Sequence, residues 1–174
     1  MSTIALFYLF LPAFISNAAP VLVKNVPLLS KWNAPIHTKW FGAHKTWRGL
    51  LSGILFGVLV SLLQYALREA GVFAAITLLH STPMQSVAVG FLLSFGALAG
   101  DAVESAVKRR MGFAPGTALP VWDGIDYMVG ALVCLSPLYV PDVTGVLLLI
   151  VCAPLVSLVS NIFSYVVGWK DVWY

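Results

Sequence analysis

Charged side chains of both signs are concentrated between Gly100 and Asp126, although only 10% of the 174 residues are charged. Such charge is expensive to place beside a long apolar segment, so it favours a functional site over simple packing. Carboxylates together with lysine and arginine side chains suit a metal ion and a polyphosphate. The charged residues of this segment are Asp101, Glu104, Lys108, Arg109, Arg110, Asp123 and Asp126.

The first half of this segment has helical spacing. Asp101, Glu104, Ser105 and Lys108 follow one another at i, i+3, i+4 and i+7, so a helix would place them on one face. Ion pairs and hydrogen bonds between successive turns are the structural alternative, but each contributes only about 0.2–0.5 kcal/mol. That is a weak reason to hold carboxylates beside a membrane, so we favour a functional role.

The second half of the segment carries an Asp-x-x-Asp pair, Asp123 and Asp126, which predicts two carboxylates in the first turn of a helix. An N-cap and an acid that complements the helix dipole are the alternative for either residue alone. Helix breakers separate this pair from Asp101 and predict a chain reversal, namely Gly112, Pro115, Gly116 and Pro120. Acids that face one another across the reversal predict an oxygen-rich site for Mg²⁺.

A second polar segment lies between Lys24 and Arg48 and contains donors suited to phosphate, namely Lys45, Thr46 and Arg48 with Gly42 and Gly49. It lacks the G-x-x-x-x-G-K-[ST] pattern of a P-loop. Taken alone, the segment favours a membrane-surface anchor that uses Trp40 and Trp47 over a phosphate site. His37 and His44 have no cysteine at metal-ligand spacing, so we expect structural or surface roles rather than a zinc site.

The elements that must position these residues are membrane helices. The chain is 60% hydrophobic with a mean hydropathy of +0.91, and a span needs about 20 apolar residues. No Lys or Arg precedes Lys24, so the apolar start predicts a membrane helix rather than a signal peptide. We predict an all-α integral membrane protein with about five transmembrane helices, near 4–23, 49–67, 84–103, 126–141 and 144–167.

Basic residues are distributed unevenly between the predicted connections. Arg68 lies on one side, and the other nine lie in the first and third loops and the tail: Lys24, Lys31, Lys39, Lys45, Arg48, Lys108, Arg109, Arg110 and Lys170. By the positive-inside rule, the N-terminus is outside and both polar loops are cytoplasmic. We therefore predict one domain over residues 1–174, in a cell membrane, with its site facing the cytoplasm.

The available side chains limit the chemistry. The chain offers carboxylates for a hard metal and several cations, but no Ser-His-Asp or Cys-His arrangement. That combination matches phosphoryl or nucleotidyl transfer, in which positioning and charge stabilisation supply most of the catalysis. A phosphate nucleophile is already ionised and requires no general base. The residues thus indicate a Mg²⁺-dependent transferase acting on a lipid headgroup, and nucleic acid is a poor partner.

Several motifs resemble those of the CDP-archaeol synthase family. They are G-D-x-x-E-S-x-x-K-R at Gly100–Arg109, L-P-x-x-D-x-x-D at Leu119–Asp126, K-T-W-R-G at Lys45–Gly49, Asn17–Pro20 and Lys170–Trp173. The S-x-x-K-R and D-x-x-D elements are also similar to the signature of CDP-diacylglycerol synthases. Two features depart from these patterns: His37 stands where many archaeal members have Asp, and Leu119–Trp122 replaces the Gly-rich run of the bacterial enzymes.

The resemblance implies a reaction that makes CDP-archaeol and pyrophosphate from CTP and 2,3-di-O-geranylgeranylglycerol 1-phosphate. For this reaction we hypothesise an in-line attack by the lipid phosphate on the α-phosphorus of CTP, with Lys108 or Arg109 offsetting charge on the pyrophosphate. Asp101 and Asp123 would be metal ligands, and Asp126 a ligand or an outer partner. The implied phosphate-binding residues are Lys45, Thr46, Arg48, Ser105, Lys108 and Arg109.

Three other functions are weighed against this one. A CDP-alcohol phosphotransferase would carry D-G-x-x-A-R, whereas Asp123-Gly124 is followed by Ile125-Asp126. A transporter or channel would place charges near mid-membrane. A non-catalytic scaffold would not need so many convergent polar groups. The oligomeric state stays open.

Three features within the predicted spans have structural interpretations as well. The stripe of Gly49, Gly53 and Gly57 predicts close helix packing more than a groove for lipid tails. Asn17 and Asn161 could join helices by hydrogen bonds or line a cavity, and the sequence leaves both possibilities open.

Overall fold

The computed structural model describes residues 2–23, 26, 32–79, 81–114, 117, 119, 122–169 and 172. Some residues named above lie outside the described part of the chain: Lys24, Lys31, Pro115, Gly116, Pro120, Lys170 and Trp173.

The described chain is helical, as predicted. Its helices are α1 (Thr3–Leu22), α2 (Thr38–Phe41), α3 (Trp47–Glu69), α4 (Pro83–Arg110), α5 (Trp122–Leu135) and α6 (Val143–Val166), with a 3₁₀ turn at Ala74–Ile76. Within these ranges no strand forms, and the only extended pairing is an isolated antiparallel bridge between Pro35 and Thr46. The all-α prediction is confirmed.

Among the residues that the structure describes, four helices are long and apolar enough to cross a membrane: α1, α3, α4 and α6. They match four of the predicted spans, and α4 runs on through Arg110 as expected for a helix that carries the charged turn out of the membrane. The most apolar window belongs to α6, of which only 11% is buried in the protein, so most of α6 faces lipid.

The predicted fourth span, near 126–141, has different bounds in the structure. α5 begins at Trp122, before the predicted 126, and ends at Leu135, so its 14 residues are about 21 Å long. It stops early because Ser136 precedes Pro137, and a residue before proline disfavours helical geometry. A hydrocarbon core is about 30 Å thick, so a complete fifth crossing stays a prediction, as does the orientation.

Side-chain caps fix where the helices begin. The Thr46 hydroxyl accepts the Gly49 amide (3.2 Å) and starts α3 directly after the polar first loop. The Thr82 hydroxyl accepts the Gln85 amide (3.1 Å), and Pro83 occupies the first turn of α4. Such caps satisfy amides that have no partner inside the helix. They therefore set the register of the residues that follow.

The hydrophobic core lies among α1, α4, α5 and α6. α1 packs against each of α3, α4, α5 and α6, so it lies inside the bundle. The core residues are Leu6, Leu9, Phe10, Ala13, Val89, Leu93, Ala97, Tyr127, Met128, Ala131, Leu135, Leu149 and Ala153.

Glycines bring α4 and α5 into main-chain contact. A Cβ on Gly100 would lie 2.2 Å from the Asp126 carbonyl oxygen, and one on Gly130 would lie 2.1 Å from the Gly96 carbonyl oxygen. No other residue fits at such separations, so this contact sets the spacing of the two helices. It also places the start of α5 beside Asp101.

The predicted glycine stripe on α3 does pack against other helices. A Cβ on Gly53 would lie 2.9 Å from the Ser16 carbonyl oxygen of α1, and one on Gly57 would lie 1.7 Å from the Ser94 hydroxyl of α4. The interpretation as a packing surface is confirmed at these two positions.

Candidate active site

Most of the predicted site residues, but not Arg48 or Asp126, line a cavity of about 660 Å³ at one end of the bundle. The C-terminal parts of α1, α4 and α6 and the N-terminal parts of α3 and α5 all contribute, because successive long helices run in opposite directions. The first loop closes one side. The sequence-predicted residues in the lining are Lys45, Thr46, Asp101, Ser105, Lys108, Arg109 and Asp123.

Three carboxylates meet at the α4–α5 contact. Asp101, Glu104 and Asp126 each offer an oxygen within 4.8 Å of the others. Asp126 Oδ1 accepts the amide of Tyr127 (2.7 Å), whereas its buried Oδ2 has no hydrogen-bond partner among the described residues. Clustered carboxylates repel one another, and an unsatisfied buried oxygen is costly. A hard divalent cation would relieve both, so this acidic trio fits a metal.

The trio agrees with the sequence prediction in part. The structure brings Asp101 and Asp126 together across the reversal, as expected. It adds Glu104, to which the sequence assigned no definite role, although its spacing put it on the same helical face as Asp101.

Asp123 lies beside the trio and lines the cavity. Its carboxylate accepts Lys108 Nζ (2.5 Å) and the Leu119 amide (3.0 Å), and its side chain is 35% exposed. Asp123 therefore holds the end of the reversal in place, and its role as a metal ligand stays a prediction.

Lys108 is held between acids. Its ammonium binds Glu104 (2.7 Å), Asp123 and the Thr117 carbonyl oxygen (3.2 Å), and the residue is only 7% exposed. Removing an ammonium from water is costly, and these three oxygens replace its hydration. Lys108 thereby joins α4 to α5 and to the reversal between them.

The first loop brings a second lysine to the site. The amide of Ile36 donates to the Lys45 carbonyl oxygen (2.8 Å), and the amide of Trp47 donates to the Ala34 carbonyl oxygen (3.1 Å). These bonds fold the loop back on itself next to the α3 cap. The Lys45 ammonium then binds Asp101, which is 56 residues away in sequence.

The two predicted arginines are placed differently. Arg109 lines the cavity, and its buried Nε and Nη1 have no hydrogen-bond partner in the described part of the chain. Unpaired guanidinium donors at a cavity wall suit a phosphate group. Arg48 follows the Thr46 cap but is not among the described residues that line the cavity.

Other polar residues reach the cavity without having been assigned there. Asn17 and Asn161, which the sequence left open, both line it, as does His44, for which we expected a surface or structural role. One face of α6 adds Ser157, Ser160 and Ser164, at i, i+3 and i+7. The spacing of these hydroxyl residues on one face of an otherwise apolar helix is the sequence signal that could have predicted their place at the cavity.

Apolar side chains line the part of the cavity that lies between the helices. They come from three of the membrane helices, α1, α4 and α6, and include Phe14, Phe95, Leu98 and Val156. Phe95 is 42% exposed, although it lies within a membrane helix. The cavity is therefore polar at the loops and apolar towards the membrane.

Comparison with known proteins adds the family. The family model described as "CarS-like: CDP-archaeol synthase" matches residues 2–174. A CDP-archaeol synthase of Thermococcus gammatolerans is 36% identical over 171 residues, covering 97% of this chain and 94% of the relative. One from Methanocaldococcus jannaschii is 34% identical over 167 residues, covering 94% and 93%.

A solved structure is similar as well. Its description is "Structural insight into an intramembrane enzyme for archaeal membrane lipids biosynthesis", and it aligns with a TM-score of 0.70 at 28% identity. The alignment covers 90% of this chain and 92% of that one. Together with the apolar helices, this likeness identifies a multi-pass membrane enzyme. The full-length matches show that the chain belongs to the CDP-archaeol synthase family.

Proposed function

We propose that this enzyme transfers CMP from CTP to 2,3-di-O-geranylgeranylglycerol 1-phosphate, giving CDP-archaeol and pyrophosphate. One observation supports this most directly: a single cavity joins clustered carboxylates and an unpaired arginine to an apolar wall between membrane helices. Both substrates carry phosphate, and only one carries a hydrocarbon tail. A cavity with a polar end and an apolar wall can bind the nucleotide and the lipid phosphate next to each other.

Mg²⁺ is the proposed cofactor, and the acidic trio fits it through the unsatisfied Asp126 oxygen. Asp101, Glu104 and Asp126 would hold the ion, with Asp123 as the further carboxylate of the sequence prediction. When bound, it would neutralise phosphate charge and polarise the reacting phosphorus. Thiolate and imidazole ligands are absent from the trio, which disfavours softer metals.

The residues of the chain bind and orient the reactants. A lipid phosphate oxygen forms a bond to the α-phosphorus of CTP, and the bond from that phosphorus to the bridging oxygen of the pyrophosphate breaks. The nucleophile is already an anion, so no residue has to remove a proton. Ser105, Thr46 and Lys45 line the cavity wall where phosphate oxygens would be held.

Arg109 is better placed than Lys108 to offset charge on the departing pyrophosphate. Lys108 is already bound to two carboxylates, whereas Arg109 presents unpaired donors to the cavity. We therefore assign the leaving group to Arg109, and to Lys108 the orientation of Glu104 and Asp123.

The proposed site faces the cytoplasm of the cell membrane. Nine of the ten basic residues belong to the loops and tail at the cavity end by the sequence topology, and CTP is a cytoplasmic nucleotide. The lipid phosphate would enter from the surrounding membrane lipids along the apolar wall.

A labelling experiment tests the reaction. Purified protein in liposomes receives Mg²⁺, the lipid phosphate, and CTP labelled at either the α- or the γ-phosphate. Label from the α-position should enter the lipid, and label from the γ-position should leave as pyrophosphate. Lipid that stays unlabelled, with CTP intact, would refute the proposal. A CDP-alcohol phosphotransferase would instead consume CDP-lipid and release CMP.

A further inference from the structure

The Lys45 ammonium occupies a position next to the acidic trio that would place it close to a bound metal ion. It binds Asp101 Oδ2, and Asp101 is a member of the acidic trio. The two side chains are only 24% and 29% exposed, so water screens the pair incompletely. A lysine cation and a divalent cation bound to the same carboxylate repel each other, so the Lys45–Asp101 pair competes with metal binding.

The two lysines of the site differ in freedom. Lys108 lies on α4, four residues from Glu104, and its ammonium has three oxygen partners. Lys45 comes from the first loop, and Asp101 is the one partner recorded for its ammonium among the described residues. Lys45 is therefore the cation that can leave.

The charges of the site are consistent with an exchange. Counted as formally ionised, the four carboxylates (Asp101, Glu104, Asp123 and Asp126) carry −4 and the two lysines bound to them, Lys45 and Lys108, carry +2, which leaves −2 on this set without the unpaired Arg109. One divalent cation neutralises that remainder. At Asp101 it would be repelled by the bound Lys45 ammonium, so its binding favours movement of Lys45 to another anion, and a nucleotide supplies one.

We propose that Lys45 is a built-in counter-cation, which holds Asp101 until a divalent metal displaces it and then binds the nucleotide phosphates. This inference rests on the proposed function. It couples the two ligands: metal alone has to break the Lys45–Asp101 pair, whereas nucleotide offers the released ammonium new acceptors. By linkage, each ligand then raises the affinity for the other.

The exchange needs only a side-chain movement. The main chain around Lys45 is fixed by the Ile36–Lys45 and Trp47–Ala34 hydrogen bonds and by the Thr46 cap. The loop is also tethered to the end of α4, because the Arg110 guanidinium lies 5.2 Å from the centre of the Trp40 ring. The flexible four-carbon chain of Lys45 can turn from Asp101 into the cavity while the loop stays in place.

Mn²⁺ binding to the full chain in detergent tests the exchange without turnover. Free Mn²⁺ is measured by electron paramagnetic resonance, first alone and then with α,β-methylene-CTP, an analogue that resists cleavage at the α-phosphorus. Lys45→Met should bind Mn²⁺ alone about three- to tenfold more tightly, since a competing cation is gone. The analogue should then strengthen Mn²⁺ binding less than it does in the wild type.

Two variants serve as controls. Lys45→Arg keeps the charge and should bind Mn²⁺ alone like the wild type, which separates loss of charge from loss of fold. Lys39→Met removes a lysine of the same loop that is not among the described cavity-lining residues, and it should change neither measurement. Size-exclusion profiles verify that all four proteins are folded.

The outcomes separate this inference from the proposed function. If the wild type labels lipid and binds Mn²⁺ but Lys45→Met binds Mn²⁺ with equal or lower affinity, the exchange is wrong and the function stands. If the wild type binds Mn²⁺ and shows the predicted Lys45 effect but labels no lipid, the function fails and the exchange stands. A wild type that binds no Mn²⁺ overturns the exchange.

Discussion

Gly100 of α4 lies directly against the main-chain carbonyl of Asp126 in α5, with room for a hydrogen but not for a methyl group. Asp101, the next residue, consequently faces Asp126 within the acidic trio. The main-chain contact between Gly100 and Asp126 therefore sets the distance between the Asp101 and Asp126 carboxylates.

Gly100→Ala should therefore damage the site more than the fold. A Cβ 2.2 Å from the carbonyl oxygen has to push α5 away, at a cost of about 1–3 kcal/mol. We expect at least a tenfold loss of lipid labelling and a several-fold weaker Mn²⁺ affinity. Val103→Ala, on an outer face of the same helix (61% exposed), is the control and should retain both. Unchanged Mn²⁺ affinity in Gly100→Ala would show that the contact does not set the site.

Asp126→Asn should remove most metal binding. The amide keeps the size of the side chain but loses its charge, and the unsatisfied Oδ2 position becomes a poor metal ligand. Turnover should fall more than a hundredfold, and higher Mg²⁺ concentrations should restore only part of it. Glu69→Gln, an exposed acid at the end of α3, should behave like the wild type. A normal Mg²⁺ dependence in Asp126→Asn would exclude Asp126 from the ligand set.

Arg109→Ala should impair nucleotide use. It removes the unpaired donors at the cavity wall, so kcat/KM for CTP should fall about 10- to 100-fold while the KM for lipid changes little. Arg110→Ala is the neighbouring control. Its side chain contacts Trp40 instead of lining the cavity, so we expect less than a threefold effect, on the order of a single exposed cation–π contact. Equal losses in the two variants would contradict the assignment.

Lys108→Met should affect stability as well as turnover. It leaves Glu104 and Asp123 close together without their shared cation, and the pairs are partly buried, so we expect a loss of about 1–3 kcal/mol in the free energy of unfolding. Asp123→Asn breaks only one of the two pairs and should lower the thermal midpoint less. Turnover should be abolished in Asp123→Asn with the fold retained, and near-normal turnover would remove Asp123 from the site. A lower thermal midpoint in Asp123→Asn than in Lys108→Met would contradict the conclusion that the Lys108 ion pairs stabilise the α4–α5 contact.

Much of the site could be predicted from local spacing. The i, i+3, i+4 and i+7 pattern put Asp101, Glu104, Ser105 and Lys108 on one face of a helix, and the structure has them so along α4. The D-x-x-D pair gave the start of α5, because acids favour a first helical turn and prolines precede them.

The pairing of charges could not be predicted. Lys108 has several acids within reach of its long side chain, and only the packing of α5 on α4 decides that it takes Glu104 and Asp123. The Lys45–Asp101 pair joins residues 56 positions apart, so no spacing rule reveals it. The end of α5 was also misjudged, because apolar residues continue past Leu135 although the helix does not.

The length of α4 determines which reactant has to travel. Asp101 and Glu104 lie nine and six residues before Arg110, so these carboxylates sit about 14 and 9 Å short of the C-terminal end of that helix. The last two turns of α4 extend beyond these carboxylates, and their Lys108 and Arg109 side chains line the cavity. In the proposed reaction the water-soluble nucleotide therefore descends to the lipid, and the isoprenoid phosphate reacts without being lifted from its leaflet.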